Sequence, residues 1–503
     1  MDGDGEHKSE VTTIQEWPST LDAGLDLFFK TVRGLPEEEL FGLLQAAWTE
    51  SPEVALRIIF QTRDCRGGKG EKQIFYQAMQ WLHGVQPESV EKNLSLIPFF
   101  GTWKDLLQLA VLLPALEKPV LTIIADQLRK DRQVLESGLG NVSLCAKWAP
   151  TEKHTFDNKK RYALKLAQLL FPKTKNAMVL YRKEYLVPLR EKLRVTERYM
   201  CANDWGNIPY PSVPSRCMYL RRRTFIKHDV ERFNRYLLDV MVGKATMNCS
   251  QVYPDELMVA TRQCDVKSQM VAEAQWKGLI ALLREQGSLK RSIALSDVSA
   301  SMSSQYLRVS VSMGLLLSEL CEGPFHNMVI TFESDPHFHH VMGETFSQRV
   351  DSLLKAPWGG RTNFQAAMEL ILEMAKSENV PQHEMPDKLF VFSDMEFDAA
   401  DSRYPSNHEA VVGKFREAGY EPPMIIYWNL RPGGVKFPAK ADTPGVALLS
   451  GYSPSLMKVV MDGCELGIQP DENAETPSKL TEITPLDVLK NAIADERYDN
   501  IAL

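Results

Sequence analysis

The stretch Ser292-Ile-Ala-Leu-Ser-Asp297-Val-Ser299-Ala-Ser301-Met302 decides how the rest of the chain is read. Ile293, Ala294 and Leu295 form an apolar lead-in with the length of a buried strand. A carboxylate and two hydroxyls then follow at alternating positions, ahead of a helical run. A strand that ends this way sets hard oxygen ligands at the carboxyl edge of a sheet, where open α/β sheets bind ligands. Such oxygens suit magnesium, manganese or calcium, not zinc. Taken alone, Asp-x-Ser-x-Ser is equally the plain turn and cap of many strand-to-helix loops.

Two later stretches add oxygens in the same style. Trp358-Gly-Gly-Arg-Thr362-Asn363 is a glycine-rich loop with a hydroxyl just ahead of a helical run, and Lys388-Leu-Phe-Val-Phe-Ser-Asp394-Met-Glu396 is a second apolar strand ending in Ser-Asp. The set, in this order, resembles the metal-ion-dependent adhesion site of the von Willebrand factor A family, over residues 288–470. The resemblance implies that Asp297, Ser299, Ser301, Thr362 and Asp394 hold a Mg2+ ion, or Mn2+ or Ca2+, partly through waters. It implies one open coordination position for a carboxylate of a protein partner, and adhesion rather than catalysis. No His or Lys in these motifs is placed to act as a base. The alternative from another class is a metal-dependent phosphoester hydrolase, since two aspartates near magnesium are compatible with one. No second-metal cage is evident for it.

At 503 residues and 57.0 kDa the chain exceeds one ordinary core and calls for two domains or more. Its apolar and charged fractions, 44% and 24%, are those of a soluble globular protein. The first ten residues are acidic and polar, unlike a secretory signal, and Pro, Glu or Lys interrupts every long apolar run, so no membrane span is expected. The eight cysteines are scattered without zinc spacing, which reads as reduced thiols in a cytoplasmic protein, with the nucleus left open. Net charge is −7, yet residues 141–240 carry 21 Lys and Arg against 9 Asp and Glu, while residues 291–503 carry 17 against 30. A basic middle and an acidic C-terminal half fit a polyanion face on one domain, or mutual attraction between the halves.

Residues 1–18 are polar and without period, as in a disordered lead. From Leu21 apolar residues recur at three- and four-residue steps through successive helices joined by short Gly and Pro turns, which suggests a stacked helical array over 19–287. Strands then alternate with helices over 288–468, the pattern of a doubly wound, mainly parallel sheet. An acidic linker and a last helix from Pro485 to Arg497 occupy 469–503. Pro336-His337-Phe-His339-His340 lacks further metal ligands in sequence reach and reads as a half-exposed strand turn. The fold expected is therefore α + α/β, with a HEAT-like helical array followed by a von Willebrand A-like domain.

Arg63-Asp-Cys-Arg-Gly-Gly-Lys-Gly-Glu-Lys72 lacks the Walker spacing and a preceding strand, so it is not a nucleotide loop. Its plain reading is a connector whose Arg and Lys cap helix ends. With Ile59-Phe-Gln-Thr before it, the stretch resembles the TROVE module of the Ro autoantigen family, in which a helical ring that binds small RNAs precedes a von Willebrand A domain. The whole chain is more closely similar to the domain of unknown function 2828 family. That likeness rests on this loop, Ala146-Lys-Trp-Ala-Pro-Thr151, Tyr185-Leu-Val-Pro-Leu-Arg190 and Leu295-Ser-Asp-Val-Ser-Ala-Ser-Met302.

Within the basic segment, Arg190 and Arg194 are spaced to share one helix face, and Arg221, Arg222, Arg223 and Lys227 lie among Tyr219 and Phe225. Arginines interleaved with aromatic rings suit single-stranded or small structured RNA: guanidinium for phosphates, rings for unstacked bases. They equally suit solvated helix faces over an aromatic core.

Overall fold

A computed structural model describes residues 17–157, 160–262, 265–298, 302, 304–332, 336–356, 364–395, 407–433, 436–461 and 482–503. These fall into two compact units, one within Met1–Glu50 and Val252–Ala494, the other within Ser51–Gln251 and Asp495–Leu503. The boundaries expected at 19–287, 288–468 and 469–503 do not coincide with them. Apolar periodicity marks the face a helix will bury, but it carries no address for the surface that covers it. No helix among the described residues is long and apolar enough to cross a membrane.

The α/β unit is built on six strands: β1 (Ser292–Asp297), β2 (Met328–Phe332), β3 (Phe338–His340), β4 (Lys388–Ser393), β5 (Met424–Asn429) and β6 (Val446–Ser450), in the order β3-β2-β1-β4-β5-β6. All neighbours pair parallel except β3, which runs antiparallel to β2 at one edge. Strands β1, β4, β5 and β6 are buried along their whole length, as expected for apolar runs covered on both faces. The short β3 is only half buried, and its His339 ring meets the Ser352 hydroxyl at 3.3 Å. The order reverses between β1 and β4, so the crevice at the carboxyl ends of those two strands is the topological switch point.

The helix Ser304–Leu320 follows β1 and is the apolar, central helix that its sequence predicts. Gly314 makes its close approach feasible: a Cβ there would stand 2.2 Å from Ser296 Oγ on β1. The helices Ala23–Lys30 and Glu37–Glu50 also belong to this unit, contrary to the linear boundary. The carbonyls of Phe28 and Phe29 accept from Ser450 Oγ at 3.0 Å and Asn429 Nδ2 at 3.3 Å, so this N-terminal helix is pinned to the ends of β6 and β5. The helix Val266–Gln286 joins through Trp276, which stacks on Phe346 at 4.0 Å between centroids and donates to Glu319 at 2.9 Å.

In the helical unit most of the glycine-rich loop is buried, with Arg66 and Lys72 exposed. The helix Pro52–Arg63 starts at Ser51, which accepts from the Val54 amide, and its end is wrapped by the loop. Lys69 N and Glu71 N donate to the carbonyls of Gln61 and Thr62 at 3.2 and 2.8 Å. Gly68 must be glycine here, because a Cβ would lie 2.0 Å from the Gln61 carbonyl oxygen. The loop closes the helix end through its backbone, and the side chains of Arg63 and Lys69 are both buried. Arg63 meets Asp105 at 2.6 Å, and that carboxylate also receives the Tyr76 hydroxyl and the Thr102 amide and hydroxyl. Asp64 points elsewhere, to Arg497 at 2.9 Å and Tyr498 at 3.1 Å, which ties the C-terminal residues into this unit. The last helix accordingly stops at Ile493 and gives way to a tight turn over Glu496–Tyr498.

Complete burial pulls the Lys69 ammonium down from 10.5 to about 7, against a smaller opposing pull from Glu71. Between those two values the unfolded chain holds a proton that the folded chain has released, so stability rises with pH from about 7 to 10.5; below about 7 the full cost of the buried charge is present. We expect the urea midpoint of the helical unit to climb across this window, by up to about 1.4 kcal/mol per pH unit. Lys69→Met, which keeps the stem and removes the charge, should subtract that slope; wild-type and variant curves that stay parallel would exclude it.

Candidate metal centre

Parallel pairing of β1 with β4 aligns Ser296 with Phe392, so the next residues along, Asp297 and Ser393, leave the sheet side by side. Asp297, Ser393 and Asp394 are all fully buried. The Ser393 hydroxyl donates to Asp297 Oδ2 at 2.6 Å while accepting from the Met395 amide at 3.0 Å, which fixes the direction of its proton. Met395 turns the chain in a left-handed conformation, φ 66°, that residues with a side chain rarely adopt. Its side chain is buried nonetheless, so the sharp turn immediately after Asp394 is held by packing.

The neighbouring strand supplies a charge that the motif did not announce. Leu430 N donates to the Ser393 carbonyl at 3.0 Å, continuing the β4–β5 ladder by one step. Arg431 N then donates to Asn429 Oδ1 at 2.9 Å, and Arg431 Nη1 reaches Asp394 Oδ2 at 3.2 Å. In sequence Arg431 is the first charge beyond an apolar strand. The register of β4 against β5, Ser393 opposite Asn429, is what turns it toward Asp394.

Two buried carboxylates on adjacent strands are costly unless cations or donors compensate them. Asp297 has the Ser393 hydroxyl and Asp394 has Arg431. The donor chemistry, hard oxygens at the switch point, fits a small divalent cation. Asp297 and Asp394 are the two sequence-expected ligands that the structure brings to one edge. Ser299, Ser301 and Thr362 lie outside the described residues. Among the described residues no group of three or more His, Cys, Asp or Glu could hold a metal, and a set of two carboxylates with three hydroxyls would not form such a group.

Residues 13–122 and 113–289 match the family model of a domain of unknown function, DUF2828, and residues 291–493 match that of another, DUF7788. The chain is also 31% identical over 479 residues to the Uncharacterized protein L728 of Acanthamoeba polyphaga mimivirus, a match spanning 88% of this chain and 82% of that protein. The chain belongs to the DUF2828 family.

The basic segment of this DUF2828 protein divides into two kinds of arginine. Arg190 does not lie on an exposed basic face: its guanidinium donates to the carbonyls of Ala146 and Ala149 at 2.8 and 3.0 Å and to Thr151 at 3.0 Å. It joins two of the stretches that identify the family. The chain widens into a π-helical turn at Tyr181–Leu186 before the helix Val187–Lys192, which is how the helix accommodates Pro188. Arg222 is likewise buried, donating to the Tyr219 carbonyl and lying 4.6 Å from the centre of that ring. Arg194, Arg221, Arg223 and Lys227 are exposed, the last three along the helix Ser215–His228.

The Ser393 hydroxyl donates to the fully buried Asp297, so removing it takes a hydrogen bond away from a buried carboxylate. Ser393→Ala is expected to destabilise the α/β unit by roughly 2 kcal/mol, the usual worth of a hydrogen bond to a buried charge. Chemical denaturation of wild type and variant measures it; a loss below about 0.5 kcal/mol would show that the bond carries little.

Proposed function

We propose that the α/β unit is a von Willebrand A-like binding domain and that the protein is a non-enzymatic cytoplasmic scaffold. In this reading Asp297, Ser299, Ser301, Thr362 and Asp394 hold Mg2+, and a carboxylate from an acidic partner completes its coordination. The observation that carries it is the burial of Asp297 and Asp394 at the carboxyl ends of neighbouring strands where the strand order reverses. A five-oxygen side-chain set leaves magnesium waters to keep or exchange, and an exchangeable position is what adhesion to a carboxylate requires. The test is a binding isotherm with Mn2+ and Mg2+. Wild type should take up one equivalent, and Asp297→Asn, which keeps the shape and removes the charge, should bind roughly tenfold more weakly or worse. Equal binding by both would dispose of the site.

A second reading, RNA binding by the helical unit as the likeness to the TROVE module implies, is favoured by one observation. The helix Ser215–His228 contains five Arg and Lys and no acidic residue, and Arg216, Arg221, Arg223 and Lys227 are exposed on it. Cations that meet phosphates release counterions, so affinity for a single-stranded RNA should fall steeply with salt. Replacing Arg221, Arg223 and Lys227 together by Ala should reduce the slope of log K against log salt by about 2. Arg222 is left intact because it is part of the packing. An unchanged slope would retire the reading.

A further inference from the structure

Residues 495–503 belong to the helical unit, yet the stretch of chain that leads to them, residues 252–494, belongs to the α/β unit. They form a short segment with one tight turn, Glu496–Tyr498, seated on residues some 400 positions away in sequence. Three residues build the seat, and each is also held by neighbours in its own stretch of chain. Asp64 divides its oxygens: Oδ1 accepts from the Arg66 and Gly67 amides at 2.8 and 3.2 Å, and Oδ2 accepts from Arg497 Nη1 at 2.9 Å and the Tyr498 hydroxyl at 3.1 Å. The glycine-rich loop therefore orients the carboxylate that the segment meets. The Phe100 carbonyl accepts from Cys65 N at 3.0 Å, and its ring packs against Phe60 at 5.1 Å and stacks on Tyr498 at 5.2 Å and 8°. Asn93 donates to the Ser89 carbonyl at 2.7 Å and reads both backbone groups of Ala502, donating to its carbonyl and accepting from its amide at 3.0 Å.

We propose that Asp64, Asn93 and Phe100 form a peptide-recognition groove, that residues 495–503 are its resident ligand, and that it takes the same segment from a second copy of the chain. The contacts are those by which a protein reads a peptide. A side-chain amide that pairs with both backbone groups of one residue holds the strand without regard to its side chain. An aromatic anchor on a ring, here Tyr498 at 1% exposure, supplies most of the binding energy of a small interface. The Asp64 oxygen then selects for sequence, because it asks for a cation and a hydroxyl donor on successive residues, and Arg497-Tyr498 offers both. The groove residues are tied to their own loop and helices, so little ordering remains to be done when a ligand arrives. Linkage through residues 252–494 gives the segment a high local concentration but makes none of these contacts. An identical segment on another copy can make all of them. The groove stands independently of the metal and RNA readings.

The experiment titrates full-length protein into a fluorescein-labelled peptide of residues 495–503 and reads anisotropy, with thermal melts to confirm folding. Wild type should bind the peptide weakly, because its own segment fills the groove. Full-length Tyr498→Ala, whose own segment has lost its anchor, should bind the wild-type peptide at least about tenfold more tightly than wild-type protein does. The same protein should bind a peptide carrying Tyr498→Ala at least about tenfold more weakly than the wild-type peptide. Adding Asn93→Ala to the Tyr498→Ala protein should weaken the wild-type peptide again. A protease site inserted between Ala494 and Asp495, cut after the full chain has folded, covers the case in which Tyr498→Ala does not fold. The cut protein should then exchange its own segment for the labelled peptide, and the uncut protein should not. A folded Tyr498→Ala protein that takes up no more peptide than wild type, equal binding of the two peptides, or a cut protein that takes up none would each overturn the groove.

Discussion

The constraint on which the α/β unit depends is the parallel pairing of β1 with β4. Ser393 and Asp297 are 96 residues apart in the chain, and only that pairing brings them to hydrogen-bonding distance. The pairing follows from two apolar runs that must each be covered on both faces, which forces them into the interior of the sheet and leaves their polar last residues at its edge. Polar groups at the edge are therefore a consequence of how the strands end. Burial of the carboxylates, both 0% exposed, is a separate matter. The N-terminal helix is fixed at the ends of β5 and β6, where its Phe29 and Phe28 carbonyls accept from Asn429 Nδ2 and Ser450 Oγ.

The helical unit solves a comparable problem with permanent pairs. Arg63 and Asp64 are neighbours in sequence but serve different networks, Arg63 with Asp105 and Tyr76, Asp64 with Arg497 and Tyr498. Gly101 permits the first: a Cβ there would lie 2.5 Å from Asp105 Oδ2 and 2.8 Å from Arg63 Nε. Breaking such a pair by removing one partner strands the other in low dielectric, so both residues are held in place by the cost of losing either. The glycine-rich loop is thus a structural knot. Two of its four basic residues, Arg63 and Lys69, are buried, which the sequence does not display, while Arg66 and Lys72 are exposed.

How much of this was readable beforehand follows from the range of each interaction. Strands and helices were legible because their periodicity is local, and so was the placing of Asp297 and Asp394 at strand ends. Membership of the first two helices in the α/β unit was not, since the faces of Ala23–Lys30 and Glu37–Glu50 look alike to any apolar surface. Arg190 was misplaced for a related reason. The helical spacing shared with Arg194 does not hold, because the helix ends at Lys192 and Arg194 turns at φ 48°, and three acceptors on the 146–151 segment claim Arg190. Arg431 was invisible without the β4–β5 register, although its position as the first charge past a strand would have flagged it once that register was in hand.

The contrast between the two arginine–carboxylate pairs is the last step. Arg63 and Asp105 are 3% and 1% exposed, with the guanidinium giving two hydrogen bonds to one carboxylate oxygen and Tyr76 closing the other. Neither partner can leave without stranding a charge, so such a pair can stabilise but cannot respond. In the Arg431–Asp394 pair the carboxylate is equally buried, but the arginine is 37% exposed and meets Oδ2 at the longer distance of 3.2 Å.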